Sequence, residues 1–164
     1  MHRGGHTIVF RQLTGHVVAQ SRKPFLSPVY RNVAKGIKPM NGLPEQVASA
    51  WEQRKGPIVL TTVNADGQPN SIYASCVSKY DDETLVVADN YFDKTRKNIR
   101  QGCIGSILFI TEEGAAFQVK GPVEYHEEGA IFEDMQSWNS DAHPGHAAAA
   151  LKVEEVYSGA ERLL

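Results

Sequence analysis

The chain has 164 residues, enough for one domain with a core of its own, and 41% apolar with 22% charged residues is the balance of a folded protein rather than a disordered one. No apolar run approaches the roughly 20 residues that a membrane-crossing helix needs. The net charge of −2 hides a division: residues 1–39 hold seven Lys and Arg and no acid, and the rest hold ten basic and 19 acidic side chains, so −2 splits into +7 and −9.

Residues 1–39 show no sustained helical or strand period; short apolar islands such as Ile8-Val9-Phe10 lie among Gly, His and Arg. Three readings compete: a basic arm for nucleic acid or an anionic surface, an Arg-bearing organelle leader, and an inert, poorly ordered extension. The inert extension is favoured, nucleic acid is the weakest reading, and Met40, at the change of composition, is a candidate translation start. The domain is therefore expected over residues 40–164. Cys76 and Cys103 share no metal-ligand spacing and form no disulfide framework, which fits reduced thiols in a cytoplasmic compartment.

Leu43 to Arg54 predicts a helix, with Pro44 at its first position and Leu43, Val47, Ala50 and Trp51 on one face. Pro57 to Val63 is β-branched and apolar on both faces, which predicts a strand covered on both sides. Asn64-Ala65-Asp66-Gly67 turns it into a second strand, Gln68 to Ser78. After the turn at Tyr80 to Glu83, Thr84 to Ala88 makes a third.

Phe92 to Gly102 then predicts a two-turn helix, capped by the Asp93 carboxylate and closed by Gly102. Lys94 and Thr95 open it, placing an ammonium and a hydroxyl beside free amides, an arrangement that suits a phosphate; most short capped helices, however, bind nothing.

Ile104 to Thr111 predicts a fourth strand and Ala115 to His126 a fifth, bent or bulged at Gly121-Pro122. Glu127 to Trp138 predicts a helix with Ile131, Phe132, Met135 and Trp138 on its apolar face, Asn139 to His146 a loop, and Ala150 to Tyr157 a sixth strand. The sum is a mostly β (α+β) domain, a six-stranded antiparallel barrel with flanking helices.

In order and spacing these pieces resemble the FMN-binding split barrel of the pyridoxamine 5′-phosphate oxidase family, closest to its small FMN-binding-protein branch. The residues carrying the likeness are Pro57 to Pro69, Thr84 to Asp89, the Lys94-Thr95 helix start with Asn98, and Val119-Lys120-Gly121. The resemblance implies FMN as cofactor, with Lys94 and Thr95 at its phosphate. It implies that Ser71, Tyr73, Ala74 and Ser75 lie along the isoalloxazine, and Ala88 and Asp89 beside the ribityl chain and ring. It implies a homodimer with the flavin between subunits, Gln118 reaching it from the partner. The C-terminal segment offers only Arg162 as a basic residue, which speaks against pyridoxamine phosphate as substrate.

Since the isoalloxazine carries the electron chemistry, no catalytic triad is required. The expected activity is an oxidoreductase acting on a small organic molecule; the alternative is a non-catalytic FMN carrier or electron-transfer protein. Tyr73 and Trp138 are candidates to stack on the ring, core packing being the better reading for Trp138. His143-Pro144-Gly145-His146 lacks a third ligand nearby and reads as a loop with two exposed histidines. Cys103 reads as a core residue.

Overall fold

The computed structural model describes residues 42–164, so the expectations for residues 1–39 lie outside the described part. The first helix, α1 (Glu45–Glu52), buries Val47, Ala50 and Trp51 as its period requires. Pro44 is its N-cap, at φ −53° and ψ 144°, one position earlier than expected. Trp51 meets Phe109 edge-on with ring centroids 5.2 Å apart, and the Arg54 guanidinium lies 4.5 Å over the Trp51 ring.

Strands β1 (Ile58–Val63) and β2 (Pro69–Ala74) form the first hairpin. Its turn is held by the Asn64 side chain, whose Oδ1 accepts from the amides of Asp66 and Gln68 at 3.0 and 2.8 Å, and by Gly67 at φ 82°. β1 corrects one expectation. Ile58, Leu60 and Thr62 are buried, whereas Val59 and Thr61 are half-buried and Val63 is exposed, so one face alone enters the core. Its β-branched content reflects strand propensity rather than two-sided cover.

The predicted second strand is in fact two. After Ala74 the chain breaks pairing at Ser75 and Cys76 and resumes as β3 (Val77–Asp81), which pairs with β4 (Thr84–Asp89). The strand order is β2-β1-β5-β6-β7-β4-β3, completed by β5 (Cys103–Ile110), β6 (Ala116–His126) and β7 (Ala147–Lys152). One short stretch of chain thus supplies both outer strands of the sheet. The two ends of the strand order must then come together at Ser75 and Cys76, which curls the sheet into a barrel split at that point.

The bend expected at Gly121-Pro122 is not a bulge against β5: the register runs unbroken through Gly105↔Gly121 and Ile104↔Pro122. What changes is the neighbour on the other side. β6 pairs with β8 (Glu155–Ser158) through Phe117 to Lys120, then with β7 through Val123 to His126. The predicted sixth strand is accordingly divided: it starts earlier, at Ala147, and breaks between Lys152 and Glu155, and a two-residue strand, β9 (Glu161–Arg162), follows. The described residues therefore hold nine strand segments in the same antiparallel split-barrel architecture.

The sequence predicts strand only from Ala150, because alanine is a weak strand former and Ala147 to Ala149 carry no signal of their own. Ala147 to Ala150 are all buried, with alternate side chains on opposite faces: Ala148 and Ala150 lie beneath α3 (Ala130–Trp138), whereas Ala149 faces the main core. Met135, Ile131, Phe132 and Trp138 pack against Val86, Ala88, Ala148 and Ala150, with the Trp138 indole N–H donating to Asp134. Trp138 is thus a packing residue. No helix among the described residues is long and apolar enough to cross a membrane.

Candidate functional site

Between β4 and the helix α2 (Lys94–Arg100) the chain turns through Asn90 to Asp93. Gly102 closes α2 at φ 76°, as expected. At the other end Asp93 occupies the N-cap position, yet its carboxylate makes no capping bond and turns instead to the Lys97 ammonium at 2.9 Å. The i,i+4 ion pair has won over the cap. Helical bonding starts with the Lys97 amide donating to the Asp93 carbonyl, so the amides of Lys94, Thr95 and Arg96 have no acceptor within the helix.

Three contacts fix this corner. Ile99 enters the core, the Asn98 side-chain amide donates to the buried Thr62 hydroxyl on β1 at 3.0 Å, and the Asn70 amide on β2 donates to the Thr95 hydroxyl at 2.9 Å. Thr95 is only 1% exposed. A hydroxyl that accepts still has its own proton to donate.

A cavity of about 320 Å³ lies between the end of β2, the β4–α2 turn and the loop before β7. Of the residues singled out from the sequence, Tyr73, Ala74, Ser75, Lys94 and Thr95 line it. Four others lie elsewhere. Ser71 shares a hydrogen bond of 2.8 Å with Thr61 across the hairpin, and Ala88 packs beneath α3. Gln118 is half-buried on β6, opposite Leu108 and Tyr157.

Asp89 is the fourth, and its carboxylate is wholly engaged by the protein. Arg96 grips it through Nε and Nη2 at 2.6 and 2.9 Å, the Tyr125 hydroxyl donates to it, and so does the Phe92 amide at 2.8 Å. Burial by itself would push this carboxyl up; the bonds from Arg96, Tyr125 and Phe92 outweigh it and hold the group below the usual carboxylate range. Burial and then the adjacent carboxylate push the Tyr125 phenol up to about 12. This knot joins β4, β6 and α2 and sets the angle at which α2 leaves the sheet.

Its pH dependence follows in sign. A carboxyl whose folded value is depressed adds stability above its unfolded value, near ~4, and that stability is lost as pH falls through the folded value. Asp89→Asn is expected to cost about 3 kcal/mol, the low end for breaking a buried pair, because the Arg96 side chain is 31% exposed and stays partly hydrated. Urea melts from pH 7 to 3 check both points: the wild type loses stability below about pH 4, and the variant follows a flatter curve.

The structure also brings in residues that sequence reasoning missed: Asn70, Asn90, Tyr91 and His143 line the same cavity. Asn70 had a faint signal as a polar side chain in step with the half-buried Ile72 and Ala74 of β2. His143 had none, because 52 residues separate it from Tyr91, whose hydroxyl lies 3.4 Å from its Nδ1. His146 is exposed, but His143 is half-buried against Tyr91, so the pair of equally exposed histidines is not found. Cys103 packs on the main core, and burial pushes its thiol up. Arg162 is bound to the Leu164 carbonyl at 2.6 Å and lies 3.7 Å from Glu155, outside the cavity lining.

Comparison with known proteins agrees with this architecture. An uncharacterised protein of Methanocaldococcus jannaschii is 26% identical over 106 residues, covering 62% of this chain and 71% of that one. The crystal structure of HupZ from Group A Streptococcus superposes with a TM-score of 0.63 at 24% identity, over 73% of this chain and 96% of that one. An FMN-binding protein from Syntrophomonas wolfei superposes with a TM-score of 0.59 at 19% identity, over 69% and 83%. The sequence model of the pyridoxamine 5′-phosphate oxidase family matches residues 43–159. The chain therefore belongs to the pyridoxamine 5′-phosphate oxidase family.

Proposed function

We propose that the chain binds FMN in the cavity beside α2 and acts through it as an oxidoreductase on a small organic molecule. The observation that carries this reading is the uncapped start of α2: Asp93 has turned away to Lys97, and Lys94 and Thr95 both line the cavity. No carboxylate among the described residues lies within ion-pair distance of the Lys94 ammonium. A cation, a hydroxyl with a free proton and open amides form a donor set, and donors are what a phosphate requires. The strand end at Tyr73 to Ser75 supplies the flat side of the cavity, where backbone and small side chains can lie along a ring. The bound flavin would supply hydride or single-electron transfer, and the protein supplies position and exclusion of water.

A homodimer belongs to the same reading. Ile104, Leu108 and Ile110 project from one face of β5, 59%, 45% and 45% exposed. The register carries that face across the sheet to Val59 and Thr61 on β1, to Ser71 and Tyr73 on β2, and to Gln118 on β6. An apolar strip of this kind marks a contact surface. It ends at Tyr73, on the cavity rim, so a second copy seated there would close the site and bring its Gln118 near it. Leu108→Glu is expected to turn a dimer into a monomer in sedimentation and to weaken FMN with it. A dimer that withstands the change would place the interface elsewhere.

Pyridoxamine phosphate is not the substrate on this reading, since Arg162 is held by Leu164 and Glu155. The direct test is the visible spectrum of purified protein: flavin bands near ~450 nm, with FMN released on denaturation, are expected from the chemistry of the ring. A colourless protein that takes up no added FMN would end the proposal. Reduction by NAD(P)H followed by turnover of an acceptor favours the enzyme; reduction by protein partners alone favours an electron carrier.

A further inference from the structure

Tyr91 is 74% exposed, an unusual position for a large aromatic side chain that also lines a cavity. It is not loose. Its ring meets that of His143 at an interplanar angle of 87° with centroids 6.0 Å apart, and its hydroxyl lies 3.4 Å from Nδ1 of the same residue. His143 is itself held, because the loop that carries it is fastened to Asn90, next to Tyr91 in the chain. The Asn90 and Asn139 side chains exchange two hydrogen bonds of 3.2 and 3.1 Å, and the Gly145 amide donates to Asn90 Oδ1 at 3.0 Å. Asn90 is 7% exposed, so this fastening is buried. A second clasp follows, the His146 amide donating to the Asp89 carbonyl at 2.9 Å.

We infer that Tyr91, braced by His143 on the loop clasped to Asn90, is the aromatic wall against which the planar ring of the cavity's ligand packs. The inference rests on the flavin reading above and assigns it a ring-positioning residue. The physical case is one of order and exposure. A perpendicular contact leaves at least one face of the Tyr91 ring bare, and a bare aromatic face over a cavity offers contact area at little cost in side-chain entropy, since the ring is already braced. Offset packing of two ring systems is worth about 0.5–1.5 kcal/mol beyond the area buried, and His143 keeps Tyr91 in place for it. The hydroxyl contact is long, so the ring rather than the oxygen carries the effect.

The test is a fluorescence titration of the flavin-free full-length protein with FMN and, separately, riboflavin. Tyr91→Ala is expected to weaken both flavins alike, by about five- to tenfold, and to leave the bound flavin brighter, because a packed aromatic ring quenches it. Tyr91→Phe is expected to stay within about twofold of wild type in affinity and in brightness, which a loss of hydrogen bonding would not allow. His143→Ala is expected to fall between, since it frees the Tyr91 ring without removing it. Wild-type affinity in Tyr91→Ala would overturn the inference while leaving the flavin reading standing, as would a loss confined to FMN, or a larger loss in His143→Ala than in Tyr91→Ala. Failure of the wild-type protein to bind either flavin would overturn both.

Discussion

Replacing Lys94 and Thr95 together by alanine is expected to weaken FMN about a hundredfold while riboflavin stays within about twofold of wild type. The two ligands differ only in the phosphate, so every contact to the ring and ribityl chain cancels in the comparison. What remains is a charge-assisted set of bonds, worth about 1.5–3 kcal/mol for a hydrogen bond involving an ion. Lys94 costs nothing structurally, being exposed and without an acidic partner among the described residues. Thr95 is different. It is buried, and the Asn70 amide donates to it, so Thr95→Ala also leaves that donor unmatched. Lys94→Ala with Thr95→Ser is the control, because the serine hydroxyl keeps the bond to Asn70; it should retain wild-type melting and lose about tenfold in FMN alone. Equal losses for FMN and riboflavin would mean that the phosphate does not sit at this corner.

This pairing of expectations separates the two ends of the ligand. Changes at Lys94 and Thr95 discriminate between the flavins; changes at Tyr91 do not. A site in which both patterns appear is one where a phosphate and a ring are held by different elements, the start of α2 and the clasped turn before it.

Local signals were legible wherever neighbours in the chain decide the outcome. The apolar period of α1, the Asn64–Gly67 turn and the closure of α2 at Gly102 depend on spacing within a few residues, and each is found where the pattern puts it. What spacing could not give was competition between partners. Asp93 had two uses for its carboxylate, the helix amides and Lys97 four residues on, and only the folded corner selects the second. The side-chain partners of Asp89 lie seven and 36 residues away, so a residue with the appearance of a ligand group proved to be engaged by Arg96 and Tyr125. Likewise the break at Ser75 and Cys76 has no glycine or proline to mark it; it exists because the two halves of that stretch join different neighbours, β1 and β4. Long-range pairing also explains Ala147 to Ala150, a strand by virtue of its place between β4 and β6, with α3 over Ala148 and Ala150 and the main core under Ala149, rather than of its own propensity.

Gly121→Ala is expected to be the most damaging single methyl in the domain. A Cβ built there lies 1.7 Å from the Lys152 carbonyl oxygen and 2.9 Å from its carbon, both backbone atoms that no change of rotamer can move. The reason is the topology at this point: β6 is exchanging β8 for β7 as its neighbour, and the chain joining those two strands passes directly over it. Relief requires β6 and the Lys152–Glu154 segment to separate, which strains the bond from the Glu154 amide to the Lys120 carbonyl at 2.9 Å. Overpacking by a methyl in a core costs about 1–3 kcal/mol where side chains can yield; here only backbone can yield, and the loss should reach or pass the upper figure, lowering the melting temperature by about 10 °C. Gly114→Ala supplies the contrast, since nothing lies within 4 Å of its would-be Cβ and φ is 88°. Its cost is the conformational one alone, about 1–2 kcal/mol. Because Tyr125, which bonds Asp89, lies four residues beyond Gly121 on β6, the shifted strand should also weaken FMN. Equal melting of the two variants would mean that β6 has room at the exchange point, and the close crossing that divides the C-terminal strands would have to be abandoned.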